Sequence, residues 1–392
     1  MDERPICRAE GFVGCGKMKK RRNEAAKSGE KMEIHAGTYK RGRKMKRKLL
    51  GTGALLLALP VYSVSNGLFQ LAVCRDNSHS LLRREGLKKI WNDINGRVAE
   101  RKRRREERRG KSGNGQPERG LAFADFTQEL EAGKAWFEEQ EKERITMTSH
   151  DGLKLVAYFL PAEVESNKIL ILMHGYRNKG MVWDFANLVK FYHEMGYHLL
   201  VPYQRAHGES EGKYICFGVK ERYDLVQWTE YIAGRFGEKC HIFLSGISMG
   251  CTTVLMAAGL KLPEQVKGLI ADCGFTSPWD IFAHVLVKDC HLPKFPFLYV
   301  ADYICRAKAG FHFQECSAVD SMKWNRIPVL FIHGGKDDFV PAKMSRINYD
   351  ACGAEKEIFI VDRAAHGTCN LVEPEAYRQK VTSFMERCLD KT

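Results

Sequence analysis

His241-Ile242-Phe243-Leu244-Ser245-Gly246-Ile247-Ser248-Met249-Gly250-Cys251, running on into Val254-Leu255-Met256-Ala257-Ala258, is the stretch that decides the fold. A short apolar run of strand length gives way to a helical pattern, and Gly246-x-Ser248-x-Gly250 falls at the junction. A serine at a sharp strand-to-helix turn projects its hydroxyl above the end of the strand. The flanking glycines relieve crowding that a Cβ would create there.

Working outward from this turn, apolar runs alternate with helical patterns in both directions. Ile145 to Thr148 and Leu153 to Leu160 read as a hairpin around Asp151-Gly152. Ile169 to Met173, His198 to Pro202, Val266 to Ala271, Val329 to Ile332 and Ile358 to Val361 read as further strands. Trp183 to Met195, Arg222 to Phe236, Met249 to Leu260 and Pro374 to Leu389 read as helices. Strands that are apolar throughout, interleaved with helices, predict an α/β fold: a mainly parallel sheet with helices on both faces and its chemistry at the carboxyl ends of the strands. Residues 275–325 interrupt the rhythm, offering no sheet strand but Phe275, Trp279, Phe282, Phe295, Phe297, Tyr299 and Phe311. They predict a helical cap or lid insertion, lining an apolar pocket or packing its own aromatics.

A serine hydroxyl needs a base to become a nucleophile, and the base needs a carboxylate to orient it. The strand Val329 to Ile332 runs into His333-Gly334-Gly335-Lys336-Asp337-Asp338, giving two candidate acids. The strand Ile358 to Val361 runs into Asp362-Arg363-Ala364-Ala365-His366-Gly367, giving a histidine. His174, His207 and His333 read as hydrogen-bonding groups of turns near the site. His193-Glu194-Met195-Gly196-Tyr197-His198 is one residue too long for the helical zinc motif, and Gly196 would end the helix. No metal and no cofactor is expected.

The strings His174-Gly175-Tyr176, Gln204-Arg205-Ala206-His207-Gly208-Glu209-Ser210, Gly246-Ile247-Ser248-Met249-Gly250, His333-Gly334-Gly335-Lys336-Asp337 with Val340-Pro341, and Ala365-His366-Gly367 occur in this order. Through them the chain from about 144 to 390 resembles the α/β-hydrolase fold superfamily, and within it the serine aminopeptidase-like (S33-like) bacterial hydrolases. The resemblance implies Ser248 as nucleophile, His366 as general base then acid, and Asp337 as the residue that orients the imidazole. Asp337 is preferred over Asp338 because the H-G-x-x-D-x-x-V-P spacing lands on it; Asp272 is a third choice, since some members of the fold place their acid there. The oxyanion hole should use the backbone N–H groups of Met249 and Tyr176. Tyr203 and Ala206 stand where the resembled loop usually has Asp and Gly. The activity implied is that of a carboxylesterase-like serine hydrolase cleaving a small-molecule ester or amide through an acyl-enzyme, with aminopeptidase, thioesterase and acyltransferase chemistry open. The rival from another class is a non-catalytic α/β-hydrolase binding module.

The composition divides the chain. Of 62 Lys plus Arg and 48 Asp plus Glu, residues 1–120 hold 31 and 13, a surplus of 18 positive charges, while the remainder is slightly acidic. The basicity therefore belongs to the N-terminal region and argues nothing about a nucleic-acid substrate for the rest. Residues 1–48 read as a basic extension, 49–73 as a transmembrane or signal-anchor segment, 74–120 as a basic stalk and linker, and 121–392 as the hydrolase domain. Seven basic residues before the charge-free run against five after it place the N-terminus inside and the catalytic domain outside a membrane. A chain beginning at Met45 would have an ordinary signal n-region. Gly11-Phe12-Val13-Gly14-Cys15-Gly16-Lys17 imitates a P-loop, but Met18 replaces the Mg²⁺-binding hydroxyl and no apolar strand precedes it. The 13 cysteines show no C-x-x-C pair and read as small, reduced hydrophobes.

Overall fold

The computed structural model describes residues 59–78, 120–178 and 180–391. Eight strands, β1 (Glu143–Thr148), β2 (Lys154–Leu160), β3 (Lys168–Met173), β4 (His198–Tyr203), β5 (His241–Ile247), β6 (Val266–Asp272), β7 (Val329–Gly334) and β8 (Lys356–Val361), lie in one sheet in the order β1-β2-β4-β3-β5-β6-β7-β8. β1 with β2 and β2 with β4 pair antiparallel; all other pairings are parallel, so β3 to β8 present their carboxyl ends at one edge. The central strands β5 and β7 are buried on both faces, which explains their unbroken apolar runs, whereas edge strand β1 alternates with solvent.

Helices cover both faces. On one, Leu225, Trp228 and Ile232 of the helix Glu221–Phe236 and Val254 and Leu255 of the helix Met249–Ala257 meet the sheet. On the other, Tyr192 joins Tyr377, Val381 and Phe384 of the C-terminal helix Pro374–Asp390. This is the mainly parallel, doubly covered sheet that the alternation of patterns predicts, and the α/β-hydrolase arrangement that the resemblance implies. The single helix expected over Trp183 to Met195 is instead a 3₁₀ turn, Trp183–Phe185, and a short helix, Val189–Glu194, with Gly196 at φ 79° turning the chain into β4.

Above the carboxyl edge sit two cap helices, Pro278–Lys288 and Lys294–Ala309. Ser277 caps the first by accepting from the Asp280 amide, with Pro278 in its opening turn. Their apolar faces, including Ile281, Leu286, Leu298 and Ile304, pack with Phe217, Phe275, Phe311 and Phe313 into a third core that reaches Met249, the neighbour of Ser248. The interruption expected over 275–325 does not all belong to this cap. The helix Ala318–Trp324 turns back, burying Ala318 and Met322 in the core under the sheet.

The reading of 49–73 as a membrane span is not supported over the part that is described. Residues 59–72 are helical, and Ser65, Phe69 and Val73 are buried; Phe69 and Val73 lie in the cap core, and Ser65 donates to the Phe297 carbonyl at 3.0 Å. Side chains committed to protein cannot face lipid. Among the described residues no helix is long and apolar enough to cross a membrane. Residues 49–58, the basic extension with its P-loop-like string, and most of the stalk lie outside the described residues. The described cysteines are all free, and eight of the eleven are buried.

Candidate active site

The turn at Gly246-x-Ser248-x-Gly250 is forced by close backbone contact. A Cβ on Gly246 would lie 2.3 Å from the Gly250 carbonyl oxygen, and one on Gly250 would lie 1.9 Å from that of Met173 on the neighbouring strand. Between them Ser248 is held at φ 57°, ψ −116°, a strained conformation for an L-residue, with its N–H donating to the Asp272 carbonyl at 2.9 Å. The strain aims the hydroxyl out of the sheet edge. Met249 opens the following helix, so its N–H is among the helix's unpaired first-turn donors.

Three loops bring the sequence-predicted residues together. The Ser248 hydroxyl donates to His366 Nε2 at 2.8 Å, and His366 Nδ1–H donates to Asp337 Oδ2 at 2.7 Å. Asp337 is buried and accepts from His333 Nε2 at 3.1 Å and, on Oδ1, from the Phe339 and Val340 amides at 2.9 and 2.8 Å. Burial alone would raise its pKa, but the His366 charge and the hydrogen bonds from both imidazoles hold it well below the usual carboxylate range. For His366, burial lowers the pKa, while the Asp337 carboxylate, helped by Asp272 and Asp184, pulls it the other way and leaves it raised. Leu121 braces this loop, exchanging backbone hydrogen bonds with Arg363 and Ala365.

The other acids take different posts. Asp338 faces solvent and pairs with Lys288 at 3.0 Å. Asp272, at the end of β6, is fully buried and accepts from the Tyr377 hydroxyl at 3.3 Å; burial pushes its pKa up to about 6. Neither accepts from His366 Nδ1.

Tyr176 and Met249 flank the serine turn, and the peptide carrying the Tyr176 N–H is pinned from several sides. His174 Nδ1–H donates to the Gly175 carbonyl at 2.8 Å while its Nε2 accepts from the Gln204 amide at 3.1 Å. Because the Gly175 carbonyl and the Tyr176 N–H share one planar peptide and point in opposite directions, fixing the carbonyl fixes the N–H. The Asp184 carboxylate accepts from the Gly175 N–H at 2.6 Å, and His207 Nε2 accepts from the Arg177 N–H at 3.1 Å. Burial lowers the pKa of His174 to about 4 and of His207 to about 3, so both are neutral and each accepts at Nε2. Both therefore serve the turns, as expected of them. Asp184 was not legible as a site residue: its Trp183-Asp184-Phe185 context carries no motif, and only the fold brings it to Gly175.

The loop after β4 is locked by Arg205, which forks onto Asp224 at 2.7 and 2.6 Å and onto Asp151 at 2.8 and 3.1 Å. Ala206, where the resembled loop has glycine, sits at φ 61°. His193 and His198 bond the Pro161 and Ser166 carbonyls rather than facing a common ligand. Cys273, Asp337 and His366 place three ligand-type atoms within 4.8 Å, but both His366 nitrogens are committed to Ser248 and Asp337, and burial pushes the Cys273 thiol well above its usual pKa.

Residues 183–392 match the model of the prolyl oligopeptidase family, a span that contains Ser248, Asp337 and His366. The chain belongs to the prolyl oligopeptidase family. Membership puts it in the α/β-hydrolase superfamily, among the serine hydrolases, as the resemblance of its motifs implies. This prolyl oligopeptidase family chain is similar to YqkD of Bacillus subtilis, 27% identical over 259 residues that make up 65% of this chain and 83% of YqkD. It is also similar to bem46 of Schizosaccharomyces pombe, 26% identical over 56% of this chain and 68% of bem46. Among solved structures, the Pyrococcus furiosus esterase Pf2001 matches with a TM-score of 0.52 at 22% identity, over 70% of this chain and 95% of the esterase, a likeness of fold.

Proposed function

We infer that the protein hydrolyses a carboxylic ester with an apolar acyl or aryl group through an acyl-enzyme on Ser248. The observation that carries this is the continuous relay from the Ser248 hydroxyl through His366 to buried Asp337, with bonds of 2.8 and 2.7 Å. As Ser248 Oγ attacks the carbonyl carbon, its proton passes to His366 Nε2, and Asp337 stabilises the imidazolium. The carbonyl oxygen gains negative charge and is held by the Met249 and Tyr176 amides. His366 returns the proton to the leaving oxygen, then takes one from the water that attacks the acyl-enzyme, regenerating Ser248.

The cap core supplies the apolar wall, since Met249, Tyr176, Phe217, Phe275 and Phe282 belong to one cluster. Phe339 adds an edge-on ring 5.2 Å from that of His366. Such a wall suits an acyl chain or aryl ring better than a sugar or polyphosphate. Family membership favours a second reading, in which the scissile bond is an amide. The test is labelling of the full-length protein with a fluorophosphonate, followed by p-nitrophenyl esters and aminoacyl p-nitroanilides in parallel. Labelling lost in Ser248→Ala and in His366→Ala, with esters turned over faster than anilides, is the expected result. A folded wild-type protein that takes up no label contradicts the hydrolytic reading, and faster anilide turnover selects the amide.

A further inference from the structure

The backbone of residues 71–75, far away in sequence, is wrapped around the loop that carries the Tyr176 amide. The Tyr176 hydroxyl donates to the Ala72 carbonyl at 2.9 Å and accepts from Arg177 Nε at 2.7 Å. The Arg177 guanidinium spreads its remaining donors over the carbonyls of Leu71 at 3.2 Å, Cys74 at 2.5 Å and Arg75 at 3.1 Å. These carbonyls cluster at and just past the end of the helix 59–72, where unpaired acceptors and the negative end of the helix dipole favour a cation. Arg177 itself stands at φ 49°, a conformation the fold has to hold in place.

The same segment is stitched to its other neighbours. The Ile215 amide donates to the Val73 carbonyl at 2.7 Å, the Arg75 amide donates to the Lys213 carbonyl at 2.8 Å, and the Arg75 side chain donates to the carbonyls of Ser210 at 2.6 Å and Gly208 at 2.5 Å. Upstream, Phe69 is buried in the cap core, and Asn66 accepts from Lys308 of the second cap helix at 3.0 Å. The segment thus touches the cap, the loop after β4 and the loop after β3 at once. The match to the family model begins at residue 183 and includes neither the segment nor the loop it holds.

We propose that residues 59–78 are a working part of the active site, a strap that positions the Tyr176 amide for the oxyanion through the Arg177 fork and the Tyr176 hydroxyl. Arg177 is then a positioning residue: it touches no reacting atom, and its contribution passes through the peptide next to it. The proposal rests on the acyl-enzyme reading above. A strap that positions an oxyanion donor affects the transition state and leaves ground-state binding of the ester nearly alone.

The test uses full-length protein with Arg177→Gln, which removes the fork, and Phe69→Ala, which loosens the strap without altering the oxyanion loop. Active sites are counted by fluorophosphonate titration, kcat and KM are measured for p-nitrophenyl butyrate, and affinity is measured for a trifluoromethyl ketone that mimics the tetrahedral oxyanion. We expect kcat per titrated site to fall about 10- to 100-fold in both variants with KM within about twofold, and ketone affinity to weaken by the same factor. Arg177→Lys should restore only part of the loss, because an ammonium cannot fork across three carbonyls. Should Phe69→Ala fail to fold, Tyr176→Phe, which keeps the ring and the backbone amide, is expected to lower kcat about 3- to 10-fold. Unchanged kcat per titrated site and unchanged ketone affinity, in a wild-type protein that labels normally, would overturn the strap. A wild-type protein that does not label removes the acyl-enzyme itself, a failure distinct from that of the strap.

Discussion

The relay side of the site and the proposed oxyanion side meet at Ser248 but are held by different means. Asp337 and His366 lie within a few residues of the ends of β7 and β8, and their partners are mostly close at hand: His333 at the end of β7, and the Phe339 and Val340 amides. The Tyr176 amide, by contrast, is placed through Asp184, His207 and the backbone of residues 71–75, each from a separate stretch of chain. Side chains at strand ends inherit their positions from the sheet. A backbone donor in a loop has to be held by whatever surrounds it, so this half of the site is where distant substitutions should act on the chemistry.

The largest difference should come from substitutions that cut each side. Asp337→Asn is expected to lower kcat by about 10⁴-fold with the fold intact, because the amide favours the wrong His366 tautomer. Asp184→Asn, which weakens the hold on Gly175, should cost about 10- to 100-fold in kcat with little change in KM. Equal losses on esterase assay would erase the distinction between the two sides.

The pH dependence sharpens the relay side. In the proposed mechanism neutral His366 is the base, so kcat/KM should fall on the acidic side, with its midpoint above the ordinary imidazole value because Asp337 and Asp272 raise the pKa. Asp272→Asn removes one of those charges and should move the midpoint to lower pH. A flat profile from pH 5 to 8 would contradict the role given to His366.

Stability should respond with its own sign. Asp272 has a folded pKa near 6, above its unfolded value of 3.8, so its penalty is absent below about pH 4, grows as pH rises through 6, and is constant above. Asp272→Asn should therefore stabilise the protein at pH 8 by at most about 3 kcal/mol and by nothing at pH 3.5, as read from urea titrations. Ala206→Gly is the smallest change: relief of the φ 61° conformation should offset the added chain entropy, leaving stability unchanged or raised by about 1 kcal/mol.

The same division governs what was legible in the sequence. The central strands announced themselves as unbroken apolar runs, and the loops after them displayed Ser248, Asp337 and His366 in readable motifs. The helix Lys343–Ala351 did not, because two of its buried positions are polar: Ser345 bonds His333 Nδ1 at 2.7 Å, and Asn348 donates to the Phe275 carbonyl at 3.4 Å. Only the tertiary partners make those positions interior. The described end of the charge-free run, around Phe69 and Val73, read as part of a membrane span because apolar residues look alike whether lipid or a cap receives them. Asp184 and Arg177 lacked any local signal, since each takes its place through a partner elsewhere in the chain.

The most direct measurement is rapid acid quenching of the full-length protein mixed with p-nitrophenyl butyrate, followed by peptide mass spectrometry. A butyryl group on the peptide carrying Ser248, matched by a burst of one p-nitrophenolate per site and absent from Asp337→Asn at the same time point, is the predicted result. Steady turnover with no acyl group on that peptide, or with the group on one of the cysteines, would contradict the assignment of Ser248 as the nucleophile.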